Sequence, residues 1–202
     1  MARASREQRA ENHERVLEEA RRLIREKGAD GVSVPEVMAA AGLTHGGFYK
    51  HFASKEALLA EAGAGAFGAR AATLDDLVAT EPDPATARAR FIAGYLSTWH
   101  RDHPGDGCAG VALAADVARR RPDDPLHDVY VAGVTRLADT LHALHSGEAG
   151  GGVPTTPGDR RDPEALAELA TLVGAQVLAR ATAGHPISEQ FLDAARDRLL
   201  GG

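Results

Sequence analysis

The residue types able to do chemistry in this chain are few, and their spacing decides what each is for. His100 with His103, and His142 with His145, stand three apart and share a helix face. Two imidazoles do not fill a metal's coordination shell, and no thiolate or carboxylate cluster completes a set. Solvated or capping histidines are therefore expected, and no metal. Cys108 is the single cysteine, which excludes an intrachain disulfide and suits a reducing cytoplasm. It follows Gly107 where a helix is predicted to begin, and a helix N-terminus favours the thiolate. A buried structural cysteine is the simpler reading. No third group is identifiable to orient a Cys–His nucleophile pair, so no enzymatic activity is expected. Gly63, Gly65 and Gly68 spell a nominal dinucleotide fingerprint, but that motif must follow a strand and open a helix. Here it lies inside a helical pattern, where glycine serves flexibility or close packing, and no cofactor is expected.

Two other groupings remain. Phe67, Phe91, Tyr95, Trp99, Tyr130 and His142 fall at helical spacing, as plain core does, but together they have the mixed character of an apolar cavity with polar handles. Arg136 is a candidate partner for an anionic ligand among them. The run His45-Gly46-Gly47-Phe48-Tyr49-Lys50-His51 is the second grouping. Two glycines in so short a helix cost about 1 kcal/mol each against alanine. That cost makes sense where the backbone must approach another surface closely, as a recognition helix does in a major groove.

The elements that must position these residues are helical throughout. Apolar residues recur at helical spacing, and sustained strand alternation is absent. Val16, Leu17, Ala20, Leu23 and Ile24 form one stripe on a first helix that should end before Gly28. Ser33 with Glu36 fits a capping box opening a short second helix, whose shared face is Val34, Val37, Met38 and Ala41. Gly42 supplies a turn, Thr44 is placed to cap a third short helix, and Phe48 and Phe52 read as its core face. Ser54 caps a fourth helix running from Lys55 well past Phe67. Asp83-Pro84 and Asp124-Pro125 read as N-cap and first-turn proline of later helices. Residues Ser146 to Asp162, rich in Gly, Pro, Thr and charge, read as a mobile loop. Two helices, Pro163 to His185 and Ser188 to Leu200, close an all-α chain of roughly nine helices.

The net charge of −6 looks wrong for a partner of nucleic acid until it is divided. Residues 1–58 hold ten Lys/Arg against nine Asp/Glu, whereas the remainder holds thirteen against twenty. The acidic character thus lies beyond the three short helices, and phosphate attraction must depend on where the cations point. Residues 1–16 lack the apolar core of a secretory signal, and the longest apolar stretches fall far short of the roughly 20 residues that span a bilayer. A soluble, cytoplasmic protein without membrane contact is expected.

The stretch from Gly42 through His51 to Leu59 resembles the TetR/AcrR family of transcriptional regulators, and the resemblance extends over about Val16 to Ala62. Met38 is a departure, since that family more often has a small residue there. The resemblance implies an N-terminal helix-turn-helix DNA-binding domain, about residues 1–52, and a helical regulatory domain over 53–202 for ligand binding and dimerisation. It implies a repressor released from a pseudo-palindromic operator by an unknown small-molecule inducer. The last two helices are expected to form the homodimer contact. Ser33, Thr44, His45, Gly46, Tyr49, Lys50, His51 and Lys55 are expected to meet DNA. Tyr49 and His51 match backbone-contacting positions, and Lys55 opens a helix whose N-terminus also favours phosphate. Arg3, Arg6 and Arg9 are candidates for an arm reaching DNA, or for a solvated tail. Phe67, Phe91, Tyr95, Trp99, Cys108, Tyr130, Arg136 and His142 are expected to line the inducer pocket. Thiol-based sensing of oxidants or electrophiles is known in the family, which makes Cys108 a candidate sensor.

Overall fold

A computed structural model describes residues 2–146 and 162–201. Among them every regular element is helical: α1 Ala2–Lys27, α2 Val34–Ala40, α3 Lys55–Thr80, α4 Pro84–Tyr95, α5 Thr98–Asp102, α6 Ala109–Ala118, α7 Pro125–Ser146, α8 Pro163–Ala181 and α9 Ile187–Leu200. Two short 3₁₀ segments, His45–Lys50 and Pro104–Asp106, join α2 to α3 and α5 to α6. Most of the expected Ser146–Asp162 loop lies outside the described residues. No helix among the described residues is long and apolar enough to cross a membrane.

Local sequence explains where these helices start and stop. Ser33, Ser54 and Asp83 each accept the backbone N–H three residues on, satisfying donors that a helix N-terminus leaves orphaned. Pro84 and Pro163 sit in first turns, where a missing N–H removes nothing. α1 ends at Gly28 and α2 just before Gly42, with φ of +74° and +69°, a left-handed conformation that glycine adopts without steric penalty.

The α1 stripe of Val16, Leu17, Ala20, Leu23 and Ile24 is buried in full. It packs on α3 and α6, while α3 lies along α7, and α8 pairs with α9. α3 therefore begins beside the short N-terminal helices and packs through its middle on the later ones. Two of its three glycines follow from that crowding, whereas Gly68 meets nothing within 4 Å. A Cβ on Gly63 would lie 3.1 Å from Leu126 Cδ1, and one on Gly65 would collide with the Arg21 guanidinium. The run that spells a nucleotide fingerprint is thus a packing face in the middle of a helix.

A buried polar contact ties the N-terminal helices to the rest. The Asp116 carboxylate on α6 accepts the buried Ala29 N–H at 2.7 Å and the Asp30 N–H at 3.4 Å, and takes Arg119 at 2.7 Å. A Cβ on Gly28 would collide with the same carboxylate, so the positive-φ glycine is needed twice over. Asp116→Ala would leave the Ala29 amide buried without an acceptor. It is expected to lower stability by about 2 kcal/mol in urea unfolding, with faster hydrogen exchange at Ala29. An unchanged unfolding midpoint would contradict this.

Candidate nucleic-acid interface and regulatory cluster

The N-terminal site is built on an aromatic support. Phe48 and Phe52 are buried and stacked with centroids 5.7 Å apart, and Phe52 stacks on His13 of α1 at 4.6 Å. With these rings turned inward, the intervening residues of His45–Lys50 face out. Thr44, His45, Gly46, Tyr49 and Lys50 are all exposed, Tyr49 at 75 %. Ser33 is exposed at the start of α2, and Lys55 is half-buried at the first position of α3.

The segment expected as a third α-helix is instead a 3₁₀ helix, with Gly47 N–H bonded to the Thr44 carbonyl and His51 N–H to that of Phe48. Six residues containing two glycines are too few and too weak in propensity to sustain α-helical bonding in isolation. Thr44 occupies the cap position by backbone angle, but its side chain makes no cap hydrogen bond. A Cβ on Gly46 would meet nothing within 4 Å, so nothing inside the protein demands glycine there.

Arg6 and Arg9 belong to α1 and not to a free arm, since that helix already runs from Ala2. They join His13, Lys50 and His51 around an open groove of about 490 Å³. Partial burial lowers the pKa of His51, and His13, Arg9 and Lys50 push it down further. Glu14 also lines the groove, paired with Arg21, but Arg6, Arg9 and Lys50 outnumber it, and a surface of that sign attracts an anionic partner. His13 was not among the expected site residues. Its spacing from Arg6 and Arg9 was visible, but its seat on Phe52 and its 2.9 Å contact with Glu61 arise only from the packing of α1 on α3.

Five of the expected regulatory residues come together in the interior. Phe67 and Tyr130 meet edge to face at 5.7 Å, Phe91 and Tyr95 at 5.6 Å. Tyr130 donates to the Gly110 carbonyl at 3.0 Å. Gly110 links the pairs, because a Cβ there would lie 3.3 Å from Cys108 Sγ and 3.8 Å from Phe67. Cys108, at the N-cap position of α6, is 0 % exposed. Burial drives the Tyr95 phenol well above its ordinary range, and the neighbouring Cys108 adds to this, while its hydroxyl finds no well-aligned hydrogen-bond partner. Trp99, Arg136 and His142 are not brought to that cluster. Trp99 is 56 % exposed and stacked on His103, Arg136 pairs with Asp75 at 3.4 Å, and His142 meets Asp162 at 3.1 Å.

The paired histidines also part company. His103 bonds the Trp99 carbonyl, whereas buried His100 is clamped between Tyr95 and Cys108. His100 Nδ1 lies 2.7 Å from the Tyr95 carbonyl and must donate to it, so Nε2 is the atom that accepts the Cys108 N–H at 3.1 Å. That arrangement requires the neutral ring. Burial lowers its pKa to about 4, with Arg70 and Arg180 reinforcing the shift and the Tyr95 carbonyl opposing it.

Comparison with known proteins bears on both halves of the chain. Residues 16–62 match the sequence model of the bacterial regulatory proteins of the tetR family. No curated relative matches the chain in sequence. Among solved structures, a TetR-family transcriptional regulator from Agrobacterium tumefaciens superposes with a TM-score of 0.76 at 23 % identity, covering 96 % of this chain and 97 % of that one. A TetR transcriptional regulator from Chloroflexus aurantiacus gives 0.75 at 26 %, covering 96 % and 95 %. The reduced form of Escherichia coli NemR gives 0.69 at 20 %, covering 93 % and 96 %.

His100 supplies a prediction that needs no partner. Its folded pKa lies below the ordinary value of 6.5, so the unfolded chain binds the proton first as pH falls. Its contribution is complete above about pH 6.5 and is lost towards about pH 4, a change of roughly 3 kcal/mol. Subtracting the unfolding free energies of His100→Asn from those of the parent protein across this range should reveal that limb. A pH-independent difference would refute the assigned proton state.

Proposed function

We propose that this chain, whose residues 16–62 match the model of the tetR family of bacterial regulatory proteins, is a homodimeric repressor, released from a pseudo-palindromic operator by a small-molecule inducer. The observation that carries the reading is the outward face of His45–Lys50, held by the buried Phe48 and Phe52. In it, residues 1–52 form the DNA-binding unit and 53–202 the regulatory one. Thr44, His45, Gly46 and Lys50 meet base edges or adjoining phosphates. Ser33, Tyr49, His51 and Lys55 hold the backbone, Lys55 adding its ammonium to the N-terminus of α3. The bare space outside Gly46 suits close approach to a groove wall.

The dimer contact is assigned to α8 and α9. Leu166, Val177, Leu178, Ile187 and Leu200 are large apolar side chains left exposed on these two helices, more than a lone chain gains by showing to water. Pairing them across a twofold axis would fix two recognition segments about one DNA turn apart. The inducer is assigned to the region of Phe67, Phe91, Tyr95, Cys108 and Tyr130, where α3, α4, α6 and α7 adjoin. Trp99, Arg136 and His142 would contribute only at its periphery. Because α3 runs from Lys55 to this cluster, a ligand that favours another seat for α3 changes the spacing of the recognition segments, limited by its differential affinity for the two states.

A second reading gives Cys108 the role of thiol sensor. It is favoured by the place of Cys108 at the N-cap position of α6, and opposed by full burial. Modification of the native protein by a thiol reagent with loss of DNA affinity would support it; unaltered affinity would end it.

The repressor reading is tested by gel shift on the DNA flanking the chain's own gene. Sequence-specific binding that weakens steeply with salt is expected. Lys55→Ala should weaken binding to all sequences and flatten its salt dependence by roughly one phosphate contact. Leu178→Asp should yield a helical monomer with little affinity. Salt-independent binding, or a monomeric Leu178→Asp that binds as the parent does, would defeat the proposal.

A further inference from the structure

Three arginines converge on the corner between α5 and α6, and none has a carboxylate within ion-pair distance among the described residues. Arg25, near the end of α1, donates to the Gly105 carbonyl. Arg180, near the end of α8, donates to the His100 carbonyl at 2.9 Å. Arg70 of α3 donates to the Asp106 carbonyl at 3.1 Å. Each guanidinium has five N–H donors, so most remain uncommitted. The Nε atoms of Arg70 and Arg180 are buried without an acceptor.

Arg25 and Arg180 also line an open cleft of about 580 Å³ between α1, the α5–α6 corner and α8. The acidic groups around this cleft are already engaged. Glu26 pairs with Arg22, Asp102 with Arg101 and Asp116 with Arg119, while the Lys27 ammonium is taken by Glu36. What remains is a pair of cations with no carboxylate in ion-pair contact among the described residues. Burial lowers the pKa of both guanidiniums. Glu18 and Asp106 oppose this at Arg25, and Tyr95 and Cys108 oppose it at Arg180, while Arg70 adds a smaller repulsion at both, yet burial prevails. Cations desolvated in this way without an ion-pair partner work against folding. Single carbonyl bonds position the guanidiniums but do not neutralise them. The apolar side chains of Val111 and Val177 share the cleft wall, giving an organic group something to rest on.

We propose that this cleft binds a small-molecule oxyanion, a carboxylate or phosphate group seated between Arg25 and Arg180. Planar guanidiniums with spare paired donors suit two-point capture of such a group. The site is separate from the aromatic cluster assigned to the inducer, and its occupancy would bridge α1, which supports the helix-turn-helix, to α8. Only that regulatory consequence rests on the repressor reading; the binding itself does not.

The test uses the full chain without DNA, so its outcome is independent of whether an operator exists. Sodium phosphate and sodium succinate are titrated calorimetrically against sodium chloride at equal ionic strength. Saturable binding of at least one is expected, and which one identifies the source chemistry. Arg25→Gln and Arg180→Gln should each weaken it by about tenfold or more, while Arg121→Gln, at an exposed site paired with Asp123, binds as the parent does. Selenate soaked into crystals of the parent protein gives a readout that needs no variant, with anomalous density expected between the two guanidiniums. Binding no better than chloride, undiminished binding in both variants, or selenate found only elsewhere would each overturn the proposal.

Discussion

The carboxylate of Asp116 is the contact on which the coupling of the two halves of this molecule depends. It supplies the acceptor for backbone N–H groups in the turn after α1, a turn that glycine at position 28 alone can make so close to α6. A buried amide without an acceptor is costly, so the turn and α6 are obliged to move as one body or to come apart. α3 provides a second tie, because its first turn adjoins the helix-turn-helix and its glycine-bearing middle is wedged against α6 and α7. Between them, these two connections leave the N-terminal helices little freedom to reorient independently of the rest.

Electrostatics follow the same division. An acidic chain gains a cationic face at its N-terminal end not by carrying many cations there but by turning the few it has outward. Arg6, Arg9, Lys50 and the two histidines near them face one groove, while most acidic residues lie beyond residue 58. Helix-terminal N–H groups at Ser33 and Ser54 add partial positive charge that no count of residues records. Farther along, uncommitted guanidiniums of Arg25 and Arg180 repeat the pattern at a different scale, as cations held in place by carbonyls.

How much of this was legible beforehand depended on range. Short-range signals read well: the α1 stripe is buried at each expected position, and Ser33, Ser54 and Asp83 cap the helices they were read as capping. The family resemblance over Val16 to Ala62 agrees with the segment that the family model matches. Where two local rules competed, the reading slipped. The pattern around Phe48 and Phe52 argued for an α-helix, yet Gly46 and Gly47 yield a 3₁₀ segment, and Thr44 caps by angle without its hydroxyl. Aromatic spacing could not separate Tyr95, which turns inward, from Trp99, one turn on, because the break between α4 and α5 rotates the face that follows. Asp116 and the arginines at the α5–α6 corner were invisible for a plainer reason. The backbone partners of Asp116, Arg25 and Arg180 lie 80 or more positions away and that of Arg70 lies 36 away, and no periodicity encodes that.

The central claim is that a short segment, His45 to Lys50, is held outward and offered in duplicate to successive turns of one face of a duplex. Hydroxyl-radical footprinting of the protein on DNA flanking its own gene tests this most directly. The account predicts two symmetric protected patches on the same face of the helix, centred about one turn apart. A single unsymmetric patch, or protection spread evenly without regard to sequence, would contradict it.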